Sequence, residues 1–185
     1  MSEARVPIRL VAPAETYRDG FLSALREFRA EGLPWWVGPD TDLAARDFPA
    51  FVAQRLADAH PPGGTQRRDD AQPPKTHLWA VTVADARVVG RIAIFHALTD
   101  ALRVAGGHIG YDTVPSMRGH GIASEMLRRA LPIAYALGLS EVLITCDNTN
   151  AASIRVIEKN GGVLHDTRVI AADRPLKRYY RIALG

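Results

Sequence analysis

The chain has 185 residues, a formal net charge of +3 and 23% charged residues. Its length suits one domain over residues 1–185, and the small, dispersed excess of positive charge argues against a nucleic-acid-binding protein. The single cysteine excludes an internal disulfide and favours a reducing compartment. No signal-like segment opens the chain and no apolar run reaches about 18 residues, so we expect a cytoplasmic protein without a membrane span.

The first half of the chain predicts strands and amphipathic helices in turn. Alternating residues followed by a proline predict a strand at 8–11, and helical spacing of apolar residues predicts helices at 14–30 and 48–59. Two β-rich runs, 77–84 and 87–97, are separated by an Asp-Ala pair, which is typical of a hairpin.

Two loops interrupt this half. The first carries the adjacent residues Trp35 and Trp36, which either close one end of the core or form an aromatic wall for a substrate. The second loop, residues 60–74, is rich in proline, glycine and charge. A loop of this length is either a binding loop or a tolerated surface insertion.

The second half predicts a regular succession of elements after a short helical turn at 99–104. Strands and helices are expected at 107–114, 122–137, 141–146, 151–160, 163–170 and 176–183. Crossover helices join parallel strands, whereas hairpins join antiparallel ones. We therefore expect an α/β (α+β) fold with a mixed sheet of six to seven strands and about four helices.

The turn between the strand at 107–114 and the next helix has the features of an anion site. It stops the strand at Pro115 and carries Gly119 and Gly121 directly before the helix. Consecutive backbone N–H groups at a helix N-terminus favour an anion, and glycine lets the backbone approach a ligand closely. Arg118 adds a permanent positive charge. We interpret the turn as a pyrophosphate cradle; an ordinary glycine-rich turn is the alternative.

This turn resembles the signature of the GNAT superfamily of acetyl-CoA-dependent N-acetyltransferases. The fixed positions of that signature are matched by Arg118, Gly121 and Ala123. In the following strand–helix unit, Asn150, Ser153 and a Glu-Lys-Asn-Gly helix end resemble the family's second conserved segment. The resemblance covers about residues 107–164. More narrowly, this part of the chain resembles a bacterial subgroup of predicted acetyltransferases. The first hundred residues match only in the order of their elements.

The resemblance implies a GNAT-like sheet splayed between its fourth and fifth strands, with the pantetheine arm of acetyl-CoA in the gap. It divides the domain into an acceptor-side half, 1–106, and a cofactor-binding half, 107–185. It also makes a homodimer plausible. The residues implied to bind acetyl-CoA are Thr113, Val114, Arg118, Gly119, His120, Gly121, Ile122, Ala123, Asn150 and Ser153. No metal site is expected.

The resemblance also frames the catalytic candidates. His108 lies in the strand where some members place a general base, and histidine titrates near neutrality. A hydrogen-bonded structural histidine is the alternative. Many members carry a tyrosine acid in the second helix, but that position is Ile157 here. Either another donor serves as the acid, with Tyr111, Cys146 and Ser153 as candidates and Tyr111 the best suited chemically, or the thiolate leaves without assistance.

The implied function is an acyltransferase that moves an acetyl group directly to the primary amine of a small molecule, with Trp35 and Trp36 on the acceptor side. One alternative is acetylation of a protein N-terminus or lysine. Another is a non-catalytic acyl-CoA-binding regulatory module, because Ile157 cannot donate a proton. We expect neither nucleic acid nor membrane as a partner.

Overall fold

The computed structural model describes residues 6–32, 39–60 and 73–185. These residues form seven strands and six α-helices, with short 3-10 turns at Glu15–Tyr17 and Pro115–Met117. In chain order the elements are β1 (Ile8–Val11), α1 (Arg18–Ala30), α2 (Pro39–Arg46), α3 (Phe48–Ala57), β2 (Lys75–Thr82), β3 (Val88–Phe95), α4 (Asp100–Val104), β4 (Ile109–Thr113), α5 (Ile122–Ala136), β5 (Glu141–Asp147), α6 (Ala151–Lys159), β6 (Val163–Arg168) and β7 (Lys177–Ala183).

Side-chain caps explain where α3 and α4 begin. Asp47 caps α3 by accepting a hydrogen bond from the backbone N–H of Ala50. Thr99 caps the short α4 in the same way, through the N–H of Leu102. The sequence pattern does not predict α2, because Leu43 is its only large apolar residue and a single position gives no helical period.

The strands form two antiparallel sheets rather than one continuous sheet. The first has the order β1-β2-β3-β4 and the second has the order β5-β7-β6. The α/β fold class and the splay between the fourth and fifth strands are therefore confirmed. All pairs within the two sheets are antiparallel, because β4 and β5, which the crossover helix α5 connects, diverge instead of forming a parallel pair.

The two sheets meet at the start of β4. A single bridge joins Gly107 to Ile144, and the backbone N–H of His108 donates to the carbonyl of Leu143 at 2.7 Å. Gly107 has a φ of 76°, and a Cβ there would collide with the Leu143 carbonyl, so only glycine allows this approach. This junction is the closed end of a V-shaped gap between β4 and β5.

Each face of the first sheet packs against its own core. One face lies under α5, where Ile92, Met126 and Ile144 belong to a large aliphatic core that also includes residues of the second sheet. The opposite face lies under α1–α3 and has an aromatic core around Trp79, whose ring lies 4.7 Å from that of Phe21. Burial on both faces fixes which side chains of β4 point to which side.

Within the described residues, no helix has the combination of length and apolar character that crossing a bilayer requires.

Candidate active site

The N-terminus of α5 has the geometry of an open anion cradle. Its N-cap residue is Gly121, in the left-handed conformation with a φ of 75°, and no side chain caps the helix within the described part of the chain. Gly119 also has a positive φ, of 85°. The backbone N–H groups of the first turn are therefore open to a ligand, and a side chain at either glycine would strain the backbone. The dipole and these donors favour an anion.

Helix α1 holds the cradle in place through two carboxylates. Glu31, at the end of α1, binds the guanidinium of Arg118 with two hydrogen bonds of 2.6 and 2.7 Å. Glu27, one turn earlier, accepts from the backbone N–H of Ser116 at 3.0 Å. His120 donates from Nδ1 to the carbonyl of Arg118 at 2.9 Å, which leaves its Nε2 at the surface of the cradle. The Arg118 side chain thus lies at the side of the cradle, where it is paired with Glu31.

The C-terminal end of α6 lies beside the cradle. The amide of Asn160 donates to the carbonyl of Ser124 in α5 at 3.2 Å and to that of Val156 at 2.8 Å. Between the two helices is a small cavity of about 80 Å³, with cationic side chains on its rim. Its lining residues are Gly121, Ser124, Glu125, Arg128, Lys159 and Asn160. At the other end of α6, Asn150 caps the helix by accepting from the N–H of Ser153 at 2.9 Å.

The backbone of β4 explains how the strand can hold an extended ligand. The N–H of Val114 donates to Val89 in β3 at 3.0 Å, and the carbonyl of His108 accepts from Phe95. Because backbone groups alternate along an antiparallel strand, those of Tyr111 and Thr113 face away from β3, into the gap. Of the two strand residues expected to hold the pantetheine arm, Thr113 presents its backbone to the gap, while the N–H of Val114 is already paired.

The side chain of Thr113 also fits a ligand site in the gap. Its hydroxyl oxygen is buried, and it has no hydrogen-bond partner among the described residues. Buried polar atoms are rarely left without a partner, since desolvation costs about 1–3 kcal/mol. An orphaned hydroxyl at the mouth of the gap therefore fits a site that a polar ligand completes.

The three candidate acids meet at the gap. The phenol of Tyr111, on β4, forms a 2.8 Å hydrogen bond with the hydroxyl of Ser153 on α6. The same hydroxyl interacts with the thiol of Cys146 on β5. Burial raises the pKa of Tyr111 to about 12 and also raises the pKa of the Cys146 thiol. Both groups therefore stay protonated near neutral pH, so the cluster is a set of hydrogen-bond donors rather than nucleophiles.

The residue in the usual acid position is part of the core. Ile157 is fully buried in α6, and a Cβ at Gly162 would collide with its side chain and carbonyl. The close approach of the chain to the end of α6 thus requires a glycine at position 162.

The structure gives His108 a structural environment. Its Nδ1 accepts a hydrogen bond from the backbone N–H of Leu143 at 2.9 Å, which places the ring proton on Nε2. Burial and the positive charge of Arg103 lower the pKa of His108, although Glu141 opposes the shift. A histidine that already accepts from a backbone N–H would lose that bond on protonation. Of the two roles left open by the sequence, this geometry supports the structural one.

The sequence interpretation missed an ion pair on the other face of β4. Arg91 of β3 donates from Nε to Oδ2 of Asp112 at 3.0 Å, and both side chains are half-buried. The sequence signal for this pair is an arginine within the apolar run of β3. It identifies Asp112 as the partner only once the register between β3 and β4 is known. Trp35 and Trp36, the expected acceptor residues, lie outside the described residues.

A V-shaped gap between two sheets, with open strand backbone on one side and an anion cradle at its mouth, can hold an extended ligand that carries a pyrophosphate. The profile of the family described as the acetyltransferase (GNAT) domain matches residues 15–163. The chain therefore belongs to the GNAT acetyltransferases, and its cofactor is acetyl-CoA. The cradle, the gap-facing backbone of β4 and the orphaned hydroxyl of Thr113 fit this cofactor.

Solved structures support the same fold. The chain is similar to MccE, a microcin self-immunity acetyltransferase in complex with acetyl-CoA and AMP, with 15% identity, 100% of this chain and 98% of that chain covered, and a TM-score of 0.67. A GNAT-family acetyltransferase from Bacillus anthracis matches with 16% identity, 97% coverage of both chains and a TM-score of 0.64. RimL, a ribosomal alpha-N-protein acetyltransferase in complex with coenzyme A, matches with 18% identity, 96% and 94% coverage and a TM-score of 0.62. No curated protein matches the chain in sequence.

Proposed function

We propose that this acetyltransferase moves the acetyl group directly from acetyl-CoA to the primary amine of a small molecule. The observation that supports direct transfer is the pair of Tyr111 and Ser153, which spans the gap between β4 and α6 with a 2.8 Å hydrogen bond. A protonated donor at this place can stabilise the leaving thiolate. The acceptor-side half at 1–106 and the cofactor half at 107–185 remain our proposed division of the domain.

The chain's own groups would hold the cofactor at three places. Backbone N–H groups of residues 119–123 bind the pyrophosphate, with Arg118 beside them. The gap-facing backbone of Thr113 pairs with the pantetheine arm, and its orphaned hydroxyl gains a partner there. Asn150 and Ser153 line the start of α6 on the opposite side of the gap. When bound, acetyl-CoA supplies an activated acyl group; the protein orients it for attack.

The high pKa of Tyr111 argues against this residue as a full proton donor to the leaving thiolate. The pKa of a thiol is about 8.5, so full proton transfer from a phenol of pKa about 12 to a thiolate would be uphill by about 5 kcal/mol. Tyr111 therefore stabilises the leaving sulfur by donating a hydrogen bond, and the proton lost by the amine ends on the thiol. Ser153 fixes the direction of the phenol.

The proton of the acceptor amine is a separate matter from the leaving group. An alkylamine titrates near about 10.4, so attack draws on its small neutral fraction when no base assists. We assign His108 to the junction of the sheets, where its Nδ1 is already occupied. With no histidine base, log kcat/KM should rise by about one per pH unit from pH 6 to 9, without a break near pH 6.5.

The test is a thiol-release assay with acetyl-CoA and a panel of amines. Tyr111→Phe should lower kcat by about 10- to 100-fold and leave the Kd of acetyl-CoA unchanged, since only the donated hydrogen bond is lost. Tyr135→Phe is the matched control, because Tyr135 is exposed on α5. The proposal fails if no amine or peptide releases thiol.

Two alternatives stay within reach of the same assay. The likeness to RimL favours an acetyltransferase that acts on a protein N-terminus, which a peptide in the panel would reveal. The buried Ile157 favours a regulatory module that binds acetyl-CoA without turnover. Calorimetry separates this module from an enzyme, because the module would show tight binding and no thiol release. Cytoplasmic location and a homodimer also remain predictions.

A further inference from the structure

The face of the first sheet under α1–α3 carries a slot made of small residues. The register places His77 of β2 beside Ala93 of β3, and Ala93 beside Gly110 of β4. Ala93 is half-buried and Gly110 is exposed. A Cβ at Gly110 would have no atom of the described chain within 4 Å. Among the described residues, the row of Ala93 and Gly110, called here the Ala93–Gly110 slot, is therefore formed by small residues and is open at the edge of β4.

Larger side chains stand on both sides of this slot. On one side of the slot, two residues from Ala93 on β3 and from Gly110 on β4, lies the ion pair of Arg91 and Asp112, with Nε and Oδ2 3.0 Å apart. On the other side, two residues after Ala93 on β3, lies Phe95, whose ring centroid is 5.1 Å from Nζ of Lys75. Alternation puts these side chains on the same face as Ala93 and Gly110. The slot is one residue row wide.

The inner end of the slot is closed by His77. Its Nε2 donates to Oδ2 of Asp58, just after α3, at 2.8 Å. Burial and the charges of Lys75 and Arg55 lower the pKa of His77 to about 4, although Asp58 opposes the shift. The imidazole is therefore neutral near pH 7. From the edge of β4 to this end the slot crosses two strand spacings, or about 10 Å.

The outer end of the slot opens beside the proposed reaction centre. Asp112 and Tyr111 are neighbours on β4 and point to opposite faces, as their separate partners Arg91 and Ser153 show. An acceptor in the slot would thus approach β4 from one face, while the Tyr111 phenol serves the leaving sulfur on the other. Attack and departure from opposite sides of one strand require no rearrangement of the sheet.

Resting on the proposed function, we propose that the Ala93–Gly110 slot binds the acceptor, and that the acceptor is a slender, unbranched primary amine. Its amino group lies at the edge of β4 beside the carboxylate of Asp112, which Arg91 holds in position. Its carbon chain lies over Ala93 and ends at His77. A slot one residue wide excludes amines that are branched next to nitrogen.

The closing experiment compares n-propylamine with isopropylamine and fills the slot by mutation. The wild-type enzyme should show at least a tenfold higher kcat/KM for n-propylamine. Ala93→Leu and Gly110→Val should each raise its KM at least tenfold, with the Kd of acetyl-CoA from calorimetry within twofold of wild type. Gly110→Val suits a strand, and its Cβ has no atom of the described residues within 4 Å, so it keeps a folded variant available if Ala93→Leu does not fold. Ala101→Leu, on an exposed position of α4, is the control.

The outcomes separate this inference from the function on which it rests. Thiol release from no amine or peptide overturns the proposed function. Turnover of n-propylamine with an unchanged KM in Gly110→Val, or equal kcat/KM for the two amines in the wild type, overturns the slot alone. Asp112→Asn adds a further check, since it should raise the KM of n-propylamine and leave acetyl-CoA binding unchanged.

Discussion

The pairing of Arg118 with Glu31 leads to a prediction about cofactor affinity. The two side chains are 49% and 31% exposed, and two short hydrogen bonds join them. Exposed ion pairs contribute about 0.2–1 kcal/mol to stability, because water and salt screen them. The substitution Glu31→Gln keeps the shape of the side chain and removes its charge. We expect the free energy of unfolding to fall by less than about 1 kcal/mol.

The same substitution should strengthen acetyl-CoA binding. Arg118 cannot turn fully toward a pyrophosphate while Glu31 binds both terminal nitrogens of its guanidinium, so the carboxylate competes with the ligand. Removing a competitor worth up to about 1 kcal/mol lowers the Kd by up to about fivefold. Arg118→Gln is the matched control and should raise the Kd, because the cradle then loses its cation.

Isothermal titration calorimetry at low and high salt measures this effect. The gain from Glu31→Gln should shrink as salt rises, since screening weakens the competing pair as well. A Kd that rises in Glu31→Gln would refute the reasoning. It would show that the ion pair organises the cradle for its ligand instead of competing with it.

Three further predictions concern folding. Gly162→Ala should lower the free energy of unfolding by about 1–3 kcal/mol in urea denaturation, because the new methyl group collides with Ile157; an unchanged midpoint would contradict the packing. His108→Ala should cost a similar amount by leaving the N–H of Leu143 unpaired, while kcat stays within about threefold of wild type; a large loss of kcat with unchanged stability would instead restore His108 as the base. The pKa of His77 is about 4 in the folded protein and about 6.5 in the unfolded chain, so the unfolded state binds the proton first as the pH falls. The free energy of unfolding should therefore decrease between about pH 6.5 and pH 4, by roughly 3 kcal/mol in total. His77→Gln should flatten this decline, and an equally steep curve in the variant would contradict the assignment.

Local patterns predict the elements of this chain well where one segment carries its own signal. The strand at 8–11 has the bounds of β1, and Asp47 caps α3 as its position suggests. The glycines of the cradle adopt the positive φ values that the turn requires. Helix α2 has no comparable signal, because its stability depends on packing Ala44 against the aromatic core.

The properties that depend on distant residues were harder to predict from the sequence. The hydrogen-bond partner of the His108 ring is a backbone N–H 35 positions away, and the hydroxyl of Tyr111 has its partner 42 positions away. Alternation along β4 correctly separates the faces of Tyr111 and Asp112. It does not indicate that Arg91 lies opposite Asp112, since that depends on the register between β3 and β4.

The junction of Gly107 and His108 with β5 bears on how much rearrangement acetyl-CoA binding requires. It fixes the closed end of the V with one backbone bridge and two hydrogen bonds to Leu143, all made by the polypeptide itself. The two arms of the V diverge in the protein alone, so no strand pairing has to be broken to admit a pantetheine arm. The gap is therefore preorganised, and no free energy of cofactor binding is needed to separate the strands.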